Sequence, residues 1–186
     1  MESAGALAMK RFVVGDIHGG HKALVQCLER SKFDTEKDLL ISLGDLCDGW
    51  PEVHQVIDEL LSIKNFKLIL GNHDEWTLRW MKDGWIEEIW TSQGGLATME
   101  SYQHDRARVP ESHKNLLQNA VLYMELDNKL FVHGGINTNL EMTKQDPELL
   151  MWDRDLLSKA VMTARRKPGC APIKISLKTE GSWILS

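Results

Sequence analysis

The sequence predicts an α/β fold in which ligand-type side chains collect at the carboxyl ends of successive strands. Three observations carry this expectation. Short apolar runs alternate with amphipathic stretches; four of the runs stop at Gly-Asp, Gly-Asn-His or His-Gly; and the clearest amphipathic stretch has helical rather than strand periodicity. Alternation of this kind implies an α/β architecture, and open α/β sheets bind ligands outside the carboxyl ends of their strands.

The first run, Phe12, Val13 and Val14, stops at Gly15 and Asp16, after which Leu24 and Leu28 fall on one face of a helix. The second, over 39–43, stops at Gly44 and Asp45. It is followed by Val53, Val56, Ile57, Leu60 and Leu61 at i, i+3, i+4, i+7 and i+8, the strongest helical pattern in the chain. The third, over 66–70, ends at Gly71, Asn72, His73 and Asp74, and the fourth, over 130–132, ends at His133, Gly134 and Gly135. Between these two lies a helical insertion with Trp76, Trp80, Trp85 and Trp90, then Gly94 and Gly95, read as a cap beside the site over about 75–119. Trp76 and Trp80, four residues apart, pack one helix face in this reading. Val121, Tyr123 and Glu125, followed by Asn128 and Lys129, predict a strand and tight turn into the fourth run. Residues 1–8 read as a disordered extension and 9–186 as one domain, with a terminal strand expected around Ile173, Ile175 and Leu177.

Composition bounds the function. At 186 residues and 42% apolar, the chain can build one core without disulfide support. A formal net charge of -5 argues against a broad nucleic-acid footprint, so phosphate binding must be local. Cys27, Cys47 and Cys170 are odd in number and lack CxxC spacing, which fits neither a disulfide framework nor a thiolate zinc site and suits a reducing cytoplasm. No stretch has membrane-spanning length, and no signal peptide or membrane partner is expected. His21, His54, His104 and His113 lie outside the motifs and read as surface or packing residues, and Arg165, Arg166 and Lys167 as a solvated helix end.

Asp16, His18, Asp45, Asn72 and His133 combine hard oxygen donors with imidazole nitrogens, a set suited to Mn, Fe or Zn. A carboxylate can bridge two metals, and two ions about 3.5–4 Å apart would activate a shared water and neutralise the attacking and leaving oxygens of phosphoryl transfer. Singly, each motif has an ordinary reading. A Gly-Asp pair makes a turn, and Asn72 with His73 would cap a helix. Four such motifs in order, each after a strand, point to phosphate ester hydrolysis.

The series GDIHG from Gly15, GDLCD from Gly44, GNHD from Gly71 and HGG from His133 resembles the phosphoprotein phosphatase branch of the calcineurin-like metallophosphoesterases over residues 11–154. The resemblance implies a β-sandwich flanked by helices and two divalent ions, with Mn expected and Fe or Zn compatible. It implies that Asp16 and His18 hold one ion, that Asp45 bridges, and that Asn72 and His133 hold the other. His73 then protonates the leaving group, Asp48 orients His73, and Arg154 with Asn72 holds the substrate phosphate. An imidazole suits the acid role near neutral pH, and a guanidinium can hold two phosphate oxygens at once, although a lone loop carboxylate or surface arginine is usually just solvated. Gly94, Gly95, Thr98, Ser101 and Tyr102 resemble a segment of bacterial serine/threonine phosphatases, which makes a phosphoprotein or small phosphoester the expected substrate. A diadenosine polyphosphate hydrolase is the alternative enzyme, and a truncated, weakly active or inactive relative serving as a binding module is the alternative outside enzymes. Two departures matter. Gly49 and Trp50 stand where the family carries a phosphate-binding arginine, and no histidine follows His133 where it has a Gly-His-Thr segment. The fold is therefore expected to be incomplete at the carboxyl end, with the second ion short of a donor.

Overall fold

The computed structural model describes residues 9–156, 158 and 182–185. Three strands, β1 (Arg11–Val14), β2 (Leu39–Ser42) and β3 (Asn65–Leu68), run parallel, and a fourth described strand, β6 (Ser182–Leu185), pairs with β1 to give the order β3-β2-β1-β6. Parallel neighbours need crossover connections. Helix α1 (His21–Ser31) supplies the one between β1 and β2, and α2 (Val53–Ser62) the one between β2 and β3.

Strand periodicity of two divides the core. Phe12, Val14 and Leu40 face the helices and join Leu24, Leu28, Val56, Ile57 and Leu60 in the main apolar cluster. Val13, Leu39 and Ile41 point the other way, onto Phe131 with Met124 and Leu126 alongside. These last three belong to an antiparallel hairpin of β4 (Tyr123–Leu126) and β5 (Lys129–Val132). The second strand layer is thus this hairpin, hydrogen-bonded separately from the parallel sheet. Its two-residue turn, Asp127 and Asn128, has φ of 52° and 58°, the left-handed pair that a twisted hairpin favours.

Leu61, expected on the core face of α2, is 42% exposed. Eight residues after Val53 it has rotated past the buried stripe, which Leu60 closes. The Trp-rich insertion forms α3 (Asn72–Asp83), α4 (Glu88–Trp90), a π-type turn over Thr91–Gly95 kinked at Gln93 and Gly94, α5 (Leu96–Ser101), a 3-10 turn (Arg106–Arg108) and α6 (Glu111–Gln118). Its Trp76, Trp80, Trp90, Tyr102 and Leu117 are buried in the same cluster as the sheet residues, and α5 and α6 pack on α2. Helix α7 (Pro147–Trp152) starts with proline in its first turn and Asp146 as N-cap, and it carries the chain to Arg154. Among the described residues no helix is long and apolar enough to cross a membrane. The expected extension at 1–8, the basic run at 165–167 and the strand expected around 173–177 lie outside the described residues.

Candidate metal centre

The loops after β1 and β2 meet through their backbones: Ile17 N and His18 N both donate to Asp45 O, at 3.0 and 2.9 Å. His18, Asp45 and Asp48 have φ of 48°, 53° and 69°, a region that L side chains occupy only when the surroundings impose it. Asp74 does much of the imposing. Its Oδ2 accepts from Asp45 N at 2.8 Å and Gly71 N at 3.2 Å, and its Oδ1 from Leu46 N at 2.8 Å and Cys47 N at 3.3 Å. Burial and the charge of Asp45 push this carboxyl up to about 7, against the pull of its backbone donors. Gly71 is the N-cap of α3 and Asn72 its first residue, so Asn72 does not cap the helix and is left to face the centre. A side chain at Gly71 would collide with Asp45, so the close approach of these two loops requires glycine.

Asp74 closes the GNHD motif, yet the sequence reading assigned it no role. The available signal was its spacing, three residues after the cap, where an acid reaches back to the cap N–H. Asp74→Asn should destabilise the protein by about 1–3 kcal/mol, because an amide would aim its own N–H at backbone donors and leave buried groups unsatisfied. Urea unfolding checks this; an unchanged midpoint would remove Asp74 from the loop-anchoring role.

The two candidate ligand imidazoles are oriented alike. His18 Nδ1 lies 2.9 Å from Cys47 O and His133 Nδ1 2.8 Å from Leu43 O. A carbonyl can only accept, so Nδ1 carries the proton in each neutral ring and Nε2 presents its lone pair. Nε2 of His133 then faces Asn72 Oδ1 at 3.0 Å and Asp45 Oδ2 at 3.4 Å, and Nε2 of His18 lies 3.8 Å from the same Asp45 oxygen. Acceptors converging on acceptors repel one another unless a donor or cation lies among them; Arg154 NH2 supplies one to His133 Nε2 at 3.3 Å, and a metal ion would serve the rest. That convergence, with each Nδ1 held by an outer partner, is what divalent-metal ligands show, so the residues present fit a metal.

Two groups can hold an ion here, His18 with Asp45 and His73, and Asp16 with Asp45 and His133, the ligand atoms of each lying within 4.8 Å of one another. Asp45 is common to both. Asp16 lies within this distance of Asp45 and His133, and His18 within it of Asp45 and His73.

His73 stands at the rim with 13% of its side chain exposed, its Nδ1 2.8 Å from Asp48 Oδ2 and its backbone N–H donating to Asp45 Oδ1 at 3.1 Å. Burial lowers its pKa, but the Asp48 hydrogen bond and the charges of Asp45, Asp48 and Asp74 more than offset this, so the net shift is upward. Asp48 is fully buried and fully used. Besides His73 it accepts from Trp90 Nε1 at 2.9 Å, Thr98 Oγ1 at 2.6 Å and Thr77 Oγ1 at 3.3 Å. Sequence reasoning missed Trp90 and Thr77 in this role and knew Thr98 only as part of a resembling segment, because they approach Asp48 from distant points in the chain.

Arg154 reaches the centre from the end of α7. Its NH1 donates to Met151 O and Asp153 O at 3.2 and 3.1 Å, and its NH2 lies 3.3 Å from His133 Nε2. A guanidinium has only donors, so this contact again makes Nε2 an acceptor.

A family model described as calcineurin-like phosphoesterase matches residues 9–173. Among curated proteins, a symmetrical bis(5'-nucleosyl)-tetraphosphatase of Buchnera aphidicola subsp. Baizongia pistaciae is 39% identical over 67 residues, which are 36% of this chain and 24% of the relative. One of Coxiella burnetii is 36% identical over 67 residues, 36% of this chain and 23% of the relative. The matched stretch therefore spans about a quarter of these relatives' length. Among solved structures, one described as a candidate diadenosine tetraphosphatase aligns with TM-score 0.60 and 22% identity over 77% of this chain and 59% of its own. A serine/threonine phosphatase from Saccharomyces cerevisiae aligns with TM-score 0.50 and 18% identity, covering 77% of this chain and 52% of its own. At such identities the structures share the fold.

Proposed function

Because this chain belongs to the calcineurin-like phosphoesterase family, we propose that it is a metal-dependent hydrolase of phosphate esters and anhydrides whose substrate is a dinucleoside polyphosphate. The observation that carries the metal-dependent chemistry is the convergence of Asp16, His18, Asp45, Asn72 and His133, with both Nδ1 atoms committed to carbonyls. These five residues would hold two divalent ions, Mn by their hard oxygen and imidazole donors, and the ions would supply an activated water and charge neutralisation at phosphorus. The remaining steps belong to side chains. Arg154 lies where it can leave His133 and take two phosphate oxygens. Asp48 fixes the His73 ring and favours the imidazolium, whose Nε2 proton is available to a departing oxygen that needs one.

The substrate class rests on the tetraphosphatase relatives and on Trp50, which replaces the arginine expected from the resemblance. Its indole is 66% exposed, and its backbone N–H donates to His18 O at 2.9 Å, which places it at the rim of the centre. It lines a cleft of about 500 Å³ with Lys22, and Gly20 and Ala23 are common to this cleft and to a second of about 490 Å³ that reaches Asp16. An exposed indole suits a base; Lys22, paired with Glu52 of the same cleft at 3.4 Å, would have to leave that carboxylate to meet a phosphate. The reaction adds water to the tetraphosphate bridge and releases two nucleoside diphosphates.

Assay with Mn on diadenosine tetraphosphate, a phosphoserine peptide and p-nitrophenyl phosphate tests this. We expect kcat/KM at least tenfold higher on the dinucleotide, with ADP as product; faster turnover of the phosphopeptide would return the reading to a serine/threonine phosphatase. Trp50→Ala should raise KM for the dinucleotide about tenfold, in line with the stacking energy of a base on an aromatic ring, and leave the aryl phosphate unaffected. Equal effects on both substrates would exclude Trp50 from base recognition.

A further inference from the structure

A second cluster of ligand-type side chains lies between α2 and α6, built from residues with no role in the centre described above. His54 and Asp58 are four residues apart and so share one face of α2, and His113 of α6 packs across from them. His54 Nδ1 lies 3.0 Å from Asp58 Oδ2, His113 Nε2 lies 2.9 Å from Asp58 Oδ1, and the three ligand atoms are within 4.8 Å of one another. His113 is fully buried and its Nδ1 lies 2.8 Å from the Tyr102 hydroxyl, while Asp58 is 58% exposed. We propose that His54, Asp58 and His113 form a site for one zinc-class divalent ion that clamps α6 to α2.

The chemistry fits at each position. Two imidazoles and a carboxylate, with a water on the exposed side, complete a tetrahedral set. Arms of about 2.0–2.1 Å set ligand atoms roughly 3.3 Å apart; the two imidazoles now meet different Asp58 oxygens, at 3.0 and 2.9 Å, with the ligand atoms within 4.8 Å, so loading draws the three side chains together around one carboxylate oxygen. Without an ion, His113 Nε2–H donates to Asp58 and Tyr102 O–H donates to Nδ1. On loading, the imidazole proton moves from Nε2 to Nδ1 and the Tyr102 hydroxyl turns to accept it. His54 Nδ1–H likewise donates to Asp58, 3.0 Å away, and on loading its proton moves to Nε2. Starting from neutral rings the proton count is unchanged, and Tyr102 becomes the outer partner that holds a ligand histidine in place. Burial holds the Tyr102 hydroxyl protonated by raising its pKa.

The clamp also bears on the catalytic side. The backbone N–H of His54 donates to Ser101 Oγ at 2.8 Å at the end of α5, the helix whose Thr98 bonds Asp48. An ion between α2 and α6 would therefore brace, through His54 and Ser101, the end of α5, which carries Thr98.

The test counts zinc. The purified chain, dialysed against micromolar Zn and desalted, is compared by elemental analysis with His54→Gln, at a half-buried position, and Asp58→Asn, at an exposed one. His54→Gln is decisive because it leaves the Tyr102–His113–Asp58 hydrogen bonds intact. We expect each variant to carry one Zn equivalent fewer than the parent and to lose part of the rise in Tm that Zn produces. Equal Zn content in parent and His54→Gln would overturn the proposal. So would a fall in Asp58→Asn stability with its Zn count unchanged, since the cluster would then be a hydrogen-bonded brace alone.

Discussion

Asp45→Asn should abolish metal-dependent turnover, lowering kcat/KM by roughly 10³-fold or more. Asp45 alone enters both candidate groups, with Oδ2 3.4 Å from His133 Nε2 and 3.8 Å from His18 Nε2. Two close cations repel one another, and a shared carboxylate is what keeps them together; transition-state stabilisation by such ions amounts to several kcal/mol, and each 1.4 kcal/mol is tenfold in rate. The fold should survive the change. Asp45 crowds the Asp74 carboxylate with like charge, so neutralising it relieves a repulsion, while the backbone N–H of Asp45 still donates to Asp74. Metal content and thermal melting separate the outcomes: Tm without metal near that of the parent, with no rise on adding Mn. Full dinuclear occupancy in the variant would remove Asp45 from the bridging position.

His73→Asn should produce a loss that depends on the leaving group. On an alkyl phosphate we expect a fall of about 10²–10⁴-fold, the range that general acid catalysis contributes. On p-nitrophenyl phosphate and on a dinucleoside tetraphosphate the fall should stay within about tenfold, because a nitrophenolate or a phosphate oxygen departs near neutral pH without a proton. The basis is the placement of His73, with Nδ1 held by Asp48 and the ring edge-on to His18 at 4.9 Å between centroids. Equal losses on all three substrates would make His73 a positioning residue. Because the metal ligands remain, Mn content should match that of the parent, which distinguishes this variant from Asp45→Asn.

Much of the centre was legible because its information is local. The Gly-Asp and Gly-Asn-His motifs end strands in the chain as they do in the structure, and the residues chosen as ligands meet around Asp45. Short-range signals failed where a contact bridges distant segments. The support of Asp48 comes from Thr77, Trp90 and Thr98, and a span of 50 residues separates Asp48 from Thr98. His54 and His113, read as ordinary packing residues, become a possible ligand pair only once α2 and α6 are side by side.

By itself, then, the sequence determined the strand–helix alternation and the four turns that carry the candidate ligands, since periodicity and turn residues act over a few positions. Tertiary structure decided three other matters. It rotated Leu61 out of the core, made the hairpin the second strand layer through Phe131, and aimed each imidazole by giving its Nδ1 a carbonyl from another loop. The physical reason is common to all three. Burial and hydrogen-bond satisfaction are settled by whichever group arrives across the fold, and spacing along the chain does not encode which group that is.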